Sequence, residues 1–373
     1  MRRLFALGGA ALLGTVLYSY LTTMLRPSSL PLGVRSIEWL RANGAAWLVN
    51  DVESAYYRWT APKKGGPQLR VLPTVGVGLV TKRHVSQTHA AQWPARIRPV
   101  LRPALPGEGA WHATGSPIAG APPVLVTTFR PSVSYPRVVA YVAWIDHRRT
   151  QLALYPGRYE PPSSLPRGPM QVPYGERWRL LATFNSGFTY ADSHGGFAVD
   201  GRTYTPFVRG AGTLVEHGNG RVDVVSWGRG PSAGRDVVLA RQNLPLIVDR
   251  GRLNPNLSDG PQWGATLGNA ILVWRSGVGV DRRGNLIYVA ADYQTVGTLA
   301  RILVRAGAVR AMELDINSEW PTLVTYRHAG GLVPTRVVPN VQQPATRYLV
   351  PDDRDFFAVY RRLPQTSLQV PFR

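Results

Sequence analysis

The stretch that decides the fold runs from Trp274 to Trp320: WRSGVGVDRRGNLIYVAADYQT (274–295), VGTLARILVRAGAVR (296–310) and AMELDINSEW (311–320). Val278 to Val280 and Leu286 to Ala290 are short β-type runs bounded by Gly, Asn and Asp. In the middle segment Leu299, Ile302, Leu303 and Ala306 recur at spacing three and four, and Gly307 follows as a C-terminal cap. That spacing predicts a helix over Val296 to Ala306 that lays one apolar stripe on a sheet. Arg310 to Leu314 then reads as a strand, followed by the polar turn Asp315, Ile316, Asn317, Ser318, Glu319. A carboxylate just beyond a strand end is a common way for a rigid sheet to present a functional group.

Working outward, further strands are expected at Arg137–Ile145, Gln151–Leu154, Leu180–Phe184, Thr213–Glu216, Val222–Val225, Leu246–Val248 and Ala270–Val273. The charged turn Asp146–Arg149 between the first two predicts a hairpin. A second polar cluster follows Leu180–Phe184: NSGFTYADSHGGFAVDG, residues 185 to 201. Its Gly187, Gly195, Gly196 and Gly201 would permit positive φ and close approach of backbone to a ligand, or simply make turns.

The bulk numbers agree with a loop-rich, strand-dominated domain. In 373 residues there are 38 Gly and 32 Pro, which favours many turns and short strands, and 44% hydrophobic content is enough for a sizeable core. The expected fold class is α+β: a β-rich mixed-sheet domain with a few packed helices, preceded by an N-terminal transmembrane helix. The formal charge of +21 comes almost wholly from Arg, with Lys only at 63, 64 and 82, and the basic residues never exceed pairs such as Arg148-Arg149, Arg282-Arg283 and Arg361-Arg362. No basic stripe is present, so nucleic acid is not expected as a partner. A diffuse positive field suits anionic headgroups, phosphate-bearing polymers or acidic glycans. Cysteine is absent, which excludes disulfides, thiolate metal sites and thiol nucleophiles; the seven His are dispersed, so no metal or cofactor is expected. There is no nucleophile elbow, P-loop or dinucleotide fingerprint.

Leu4 to Leu25 carries no charge and at helical rise would extend roughly 33 Å. With Arg2 and Arg3 before it, it reads as an uncleaved anchor, or else as an export signal, placing the remainder outside the cytoplasm. Residues 1–30 are thus expected to be the anchor. Residues 31–120 form a connector with short amphipathic helices within Ser36–Trp59 and a short apolar stretch at Val71–Val80. Residues 121–373 form the main domain.

Taken together, the segments from about Val124 to Tyr360 resemble the phosphodiester glycosidase family. The order of an Arg-containing strand (Arg275), a D-x-x-G hairpin (Asp281 to Gly284), a strand leading to Asp292–Thr295, a helix and the A-x-x-L-D turn of Ala311–Asp315 looks like the family's arrangement. The sequence ATFNSGF (182–188) resembles the family's N-G-G-F-F motif, and GGFAVDG (195–201) its following Gly-rich segment. The resemblance implies a glycosidase-type hydrolase acting on glycosyl-phosphodiester or related bonds of envelope glycans. Asp315 matches the turn aspartate and Arg275 the family arginine, which would grip a phosphate or uronate. Two departures stand out. Ile316, Asn317 and Ser318 replace the consecutive glycines after the aspartate, and Glu319 adds a carboxylate.

Cleaving a sugar from phosphate calls for paired carboxylates or their equivalents. Asp315 and Glu319 are the leading pair, with His194 as a proton-transfer candidate. Arg275, Asn185, Gly187, Gly195, Gly196, Asn317 and Ser318 are the candidate substrate-binding positions. Each has a plainer reading: Asp315 capping its turn, Asn185 and Asn317 forming Asx turns, Arg275 in a structural ion pair, and Glu319 as a surface carboxylate. Asp192, Asp200 and Asp292 rank below these as turn formers. The alternative function is a non-catalytic glycan binder using the same pocket.

Overall fold

The computed structural model describes residues 2–75, 93–258, 260–264, 272–339 and 343–363. In chain order the helices are α1 (Arg2–Leu25), α2 (Leu32–Leu40), α3 (Ala46–Thr60), the single turn α4 (Tyr190–Ser193) and α5 (Val296–Arg305). The strands are β1 (His112–Ala113), β2 (Val124–Phe129), β3 (Ala140–Ile145), β4 (Thr150–Tyr155), β5 (Leu180–Asn185), β6 (Phe197–Val199), β7 (Arg202–Thr205), β8 (Ala211–His217) and β9 (Val222–Ser226). They continue with β10 (Val237–Asp249), β11 (Arg252–Leu253), β12 (Val273–Val280), β13 (Leu286–Gln294), β14 (Arg310–Glu313), β15 (Leu323–His328), β16 (Leu332–Arg336) and β17 (Phe356–Arg361). The domain is strand-rich with few helices.

Two sheets organise it. The larger runs β1-β2-β3-β13-β12-β14-β10-β6-β7, with β8 and β11 also pairing with β10 and β9 pairing with β8; the smaller runs β16-β15-β5-β17-β4. Strand β13 shows why the sequence reads as an unbroken apolar run there. Its Leu286, Tyr288 and Ala290 pack into the core shared with Phe184 of β5 and Phe357 of β17. The intervening Ile287, Val289 and Ala291 pack against Leu299, Ile302 and Leu303 of α5. Side chains of a strand alternate between faces, so a strand covered on both sides must be apolar throughout. Helix α5 starts on a capping box in which Thr295 and Thr298 each satisfy the other's backbone amide. Burying its Leu299, Ile302 and Leu303 stabilises the docked helix by about 1.5–3 kcal/mol per side chain.

Several expectations change. Strands β3 and β4 do not form a hairpin: β3 pairs with β2 and β13, whereas β4 pairs with β17 in the other sheet. The Asp146–Arg149 turn is a corner between sheets. Asp146 is buried, accepts from the Arg148 amide and ion-pairs with Arg149, and its carbonyl accepts from Thr150. Strand β10 extends far beyond Leu246–Val248, back to Val237, and its buried Arg241, Gln242 and Asn243 interrupt the apolar pattern that would mark it in the sequence. Strand β2 was not anticipated at all. Within Ser36–Trp59 the helices α2 and α3 are present, separated by a break at Asn43 and Gly44. The spanning helix expected at the N-terminus is not supported: α1 is continuous over Arg2–Leu25, yet among the described residues no helix is long and apolar enough to cross a membrane. Residues 76–80 and 270–271 of the expected apolar and strand segments lie outside the described residues.

Strand β8 carries a buried carboxyl, Glu216, 3% exposed. Burial pushes it up to about 7, with Arg362 opposing. Its ordinary value is 4.5, so between 4.5 and about 7 the folded chain holds more protons than the unfolded one, and stability falls as pH rises through that window. We expect Glu216→Gln, which keeps the shape without the charge, to unfold at higher urea than the parent at pH 8. The gain should be on the order of 1–3 kcal/mol, with the two proteins converging near pH 4.5. Parallel urea titrations at the two pH values check this.

Candidate active site

The site forms where the two sheets meet. Strand β5 of the smaller sheet ends at Asn185, and β14 of the larger ends at Glu313, so the loops beyond them lie side by side. The Asp315 amide donates to the Ser186 carbonyl (3.3 Å), and the Asp315 carbonyl accepts from both the amide and the hydroxyl of Ser276 (3.2 and 2.8 Å). Asn185 is the joint. Its Oδ1 accepts from Tyr288 (2.7 Å) and the Thr322 amide (3.0 Å), and its Nδ2 donates to the Ser186 carbonyl (2.9 Å) and Ser276 Oγ (3.0 Å). All four positions of the amide are used, so Asn185 acts between sheets rather than toward a ligand.

Asp315 is 5% exposed. Its Oδ1 accepts from the Asn317 amide (2.9 Å) and its Oδ2 from Arg354 Nη2 (2.8 Å). Asn317 repeats the device, its Oδ1 accepting from the Glu319 amide (3.1 Å). Side chains thus hold the turn in Asx geometry where consecutive glycines would otherwise supply the freedom. Burial raises the Asp315 carboxyl, and Arg354 opposes that rise. Arg354 stacks over Trp320, its guanidinium carbon 4.5 Å from the ring centroid, and Nη2 also reaches the Gly187 carbonyl (3.1 Å). Its Nε is buried with no hydrogen-bond partner among the described residues. The Arg354 amide donates to Asp352, which is itself held by buried Arg347 at 2.6 and 3.1 Å.

Asp315, Asn317, Arg354, Trp320, Asp192 and Phe188 line a cavity of about 350 Å³, part of whose wall is Glu38 of α2, Arg41 of the break after it and Ala46 at the start of α3. The other expected residues lie elsewhere. Arg275 is buried and pairs with Glu313 (2.5 Å), donating also to the Gln294 carbonyl, so its carboxylate partner is not Asp315. Glu319 is 4% exposed and Ser318 half-buried, and neither is a cavity wall. His194 is exposed, closes α4 in the left-handed conformation and meets Tyr190 edge-on. Gly187, Gly195 and Gly196 do not adopt positive φ. They are small because protein presses on them: a Cβ would lie 3.0 Å from Asn243, 2.7 Å from the Gln242 carbonyl and 2.6 Å from Phe207, respectively. Two further carboxylates line the cavity: Asp192, which accepts from Thr189 Oγ1 (2.6 Å), and Glu38, which ion-pairs with Arg41 (2.7 Å).

Sequence reasoning missed Arg354, which lies 39 positions from Asp315 in a segment without motif character. It also missed the staples that fix the 186–194 loop. Buried Arg241 pairs with Asp355 (2.7 Å) and donates to the Phe188 carbonyl (2.7 Å), while Asn243 joins the Phe188 amide to the Glu313 carbonyl. A polar interruption in an otherwise apolar strand was the available signal. Glu313, the last residue of β14, is fully buried, is pushed up to about 7 by burial against the pull of Arg275, and sits two residues before Asp315. Among the described residues no group of three or more acidic or His side chains is arranged to hold a metal ion.

The site is therefore a small polar cavity at the junction of two sheets, lined by the buried Asp315 carboxylate, the carboxylates of Asp192 and Glu38, and the guanidiniums of Arg354 and Arg41. Residues 179–315, a stretch that ends at Asp315, match the family model of the phosphodiester glycosidases. Among solved structures the chain is similar to the zebrafish N-acetylglucosamine-1-phosphodiester alpha-N-acetylglucosaminidase catalytic domain auto-inhibited by its pro-peptide. The identity is 17% over 68% of this chain and 88% of that one, at TM-score 0.44. It is also similar to a hypothetical protein from Synechocystis (16%, 67% and 65%, TM-score 0.39). A third likeness is to a protein described as exported from Burkholderia pseudomallei K96243 (13%, 62% and 76%, TM-score 0.37). None of these three bears on activity. No curated protein matches the chain.

Proposed function

We propose that the protein is a glycosidase-type hydrolase that cleaves glycosyl phosphodiesters or closely related glycosidic bonds, with the cavity at Asp315 as its active site. The observation that carries this reading is the state of Arg354. Its guanidinium is fixed by Trp320 and Asp315 and lines the cavity, with 12% of the side chain exposed. A guanidinium held at a cavity wall offers charge-assisted donors to an anionic group entering that cavity. In a glycosyl phosphodiester the bond to break joins the sugar carbon to a phosphate oxygen. A guanidinium beside that phosphate would bind the substrate and neutralise the charge that grows on the departing oxygen. Asp315, held within reach of the same guanidinium, would act on the sugar carbon directly or through a water; Asp192 and Glu38 are the other carboxylates at the cavity. The inferred substrate is a glycan of the cell envelope. The setting outside the cytoplasm rests on the uncharged Leu4–Leu25 run read as an export segment.

The test is release of free sugar from a panel of glycosyl phosphodiesters and native envelope fractions by the full chain. Sugar appearing together with a new phosphomonoester end supports the assignment. A folded protein that retains glycan without releasing sugar overturns it in favour of a binding role.

A further inference from the structure

At the far end of the same strands lies a second cavity, of about 500 Å³, whose walls are dominated by arginine. Val280 of β12 pairs with Arg310 of β14, and Gly277 pairs with Glu313. The Arg310 end is therefore separated from Asp315 by five residues of extended chain, roughly 17 Å. Arg221, Arg250, Arg282, Arg283 and Arg310 face this cavity with His147, against two carboxylates, Asp223 and Asp281.

Both carboxylates are already committed. Asp223, buried, ion-pairs with Arg310 and with Arg221 (2.5 Å) and accepts from the Val224 amide. It orients two guanidiniums without cancelling the other three. Asp281 accepts from the amides of Arg283 and Asn285 on one oxygen, and from Trp144 Nε1 and Asn285 Nδ2 on the other, so it serves as the lynchpin of the β12–β13 turn. Arg282 and Arg283 are exposed and have no carboxylate partner among the described residues, and Arg250 reaches only the exposed Asp249, at 4.0 Å. Like charges converging on one concavity repel each other, and that repulsion is relieved when an anion binds among them.

The walls also narrow the class of anion. The apolar lining consists of Val222 and Val309, neither exposed, so no hydrophobic side chain is available for insertion into a lipid surface. No aromatic side chain other than His147 is present to stack a nucleobase. We propose that this cavity binds the phosphate groups of a linear, phosphate-rich polymer, as a binding site separate from the cavity at Asp315. It stands whether or not Asp315 turns over substrate, because its readout is binding.

The experiment is calorimetric titration of the full chain with short-chain inorganic polyphosphate at several salt concentrations. Arg282→Gln/Arg283→Gln is compared with Arg202→Gln/Arg336→Gln, which removes the same charge from exposed positions elsewhere. All four residues are exposed, and circular dichroism checks that both variants fold. The expected result is about tenfold or more weakening in the cavity variant alone, with a log–log salt dependence shallower by about 1–2. Equal weakening in both variants would reduce the effect to the diffuse charge of the chain and overturn the proposal. So would a wild-type protein that ignores polyphosphate but binds single-stranded oligonucleotide or anionic phospholipid vesicles.

Discussion

Asp315→Asn is expected to abolish sugar release, lowering kcat by about 10³-fold or more while substrate is still bound, because the variant removes the carboxylate proposed to act on the sugar carbon. The substitution preserves the shape of the side chain, and an amide oxygen can still accept from the Asn317 amide, so the turn should persist. It does deprive Arg354 of its counter-charge, and for that reason the thermal unfolding of the variant must be followed alongside its rate. A rate loss with an intact transition assigns the carboxylate to chemistry; a rate loss that tracks unfolding does not. The pH profile gives an independent readout. Burial raises the Asp315 carboxyl from its ordinary 3.8, with Arg354 pulling the other way. The group is needed ionised, so the rising acid limb of kcat/KM should sit above 3.8 and vanish in the residual activity of the variant. Arg354→Lys complements it. The charge remains, but the planar fork stacked on Trp320 is gone, and KM for anionic substrates should rise by about tenfold or more with a smaller change in kcat.

The second large effect concerns what the domain needs in order to fold. A chain beginning at residue 121, where the sequence reading begins the main domain, should fail to fold stably, whereas one beginning at Ala61 should fold. Between these starts lie Ile97, Leu101 and Trp111, all buried; Ile97 and Trp111 share a core with Leu125, Phe129 and Ile287. More costly is Glu108. It and Arg130 are both fully buried, and Glu108 accepts from the Arg130 amide (2.9 Å), Nε (3.0 Å) and Nη2 (2.8 Å) as well as from the Leu105 amide (2.9 Å). The Arg130 fork also donates to the Pro103 carbonyl and to Gln68. Truncation at 121 removes every one of these acceptors and leaves a buried guanidinium alone. Stranding one partner of a buried pair costs about 3–5 kcal/mol, before the lost apolar burial is added, against a total stability of about 5–15 kcal/mol. Far-UV circular dichroism and urea unfolding of the two fragments decide the matter. A stable fragment from 121 would show that the Glu108–Arg130 pair is dispensable. In the full chain, Glu108→Gln should by itself cost a few kcal/mol.

Much of the fold was legible because apolar periodicity reports burial locally. Strands β5, β8, β9, β13 and β14 and helix α5 lie within a few residues of where alternation, spacing and capping residues place them. The Asp315 turn could also be located, since a carboxylate following a short strand keeps its position whatever that strand pairs with. Partners were not legible. The Asp146–Arg149 corner looks like a hairpin turn because both have the same short polar composition, and only the pairing of β4 with β17 shows that the chain changes sheets. Arg275 was matched to the site by its place in a motif, yet its guanidinium is spent on Glu313; the arginine on Asp315 is Arg354. The glycines at 187, 195 and 196 were visible as small residues, but what presses against them comes from β10 and from Phe207.

The sequence alone was enough to place the apolar strands β5, β8, β9, β13 and β14, the start and end of the helix on the sheet, and the turn that carries a carboxylate, because these depend on residues adjacent in the chain. The tertiary structure decided which guanidinium faces that carboxylate, which arginines converge at the opposite end of the strands, and how much of the connector belongs to the core. Each of those is set by a contact between residues tens to hundreds of positions apart, and strand pairing, not local composition, brings such residues together.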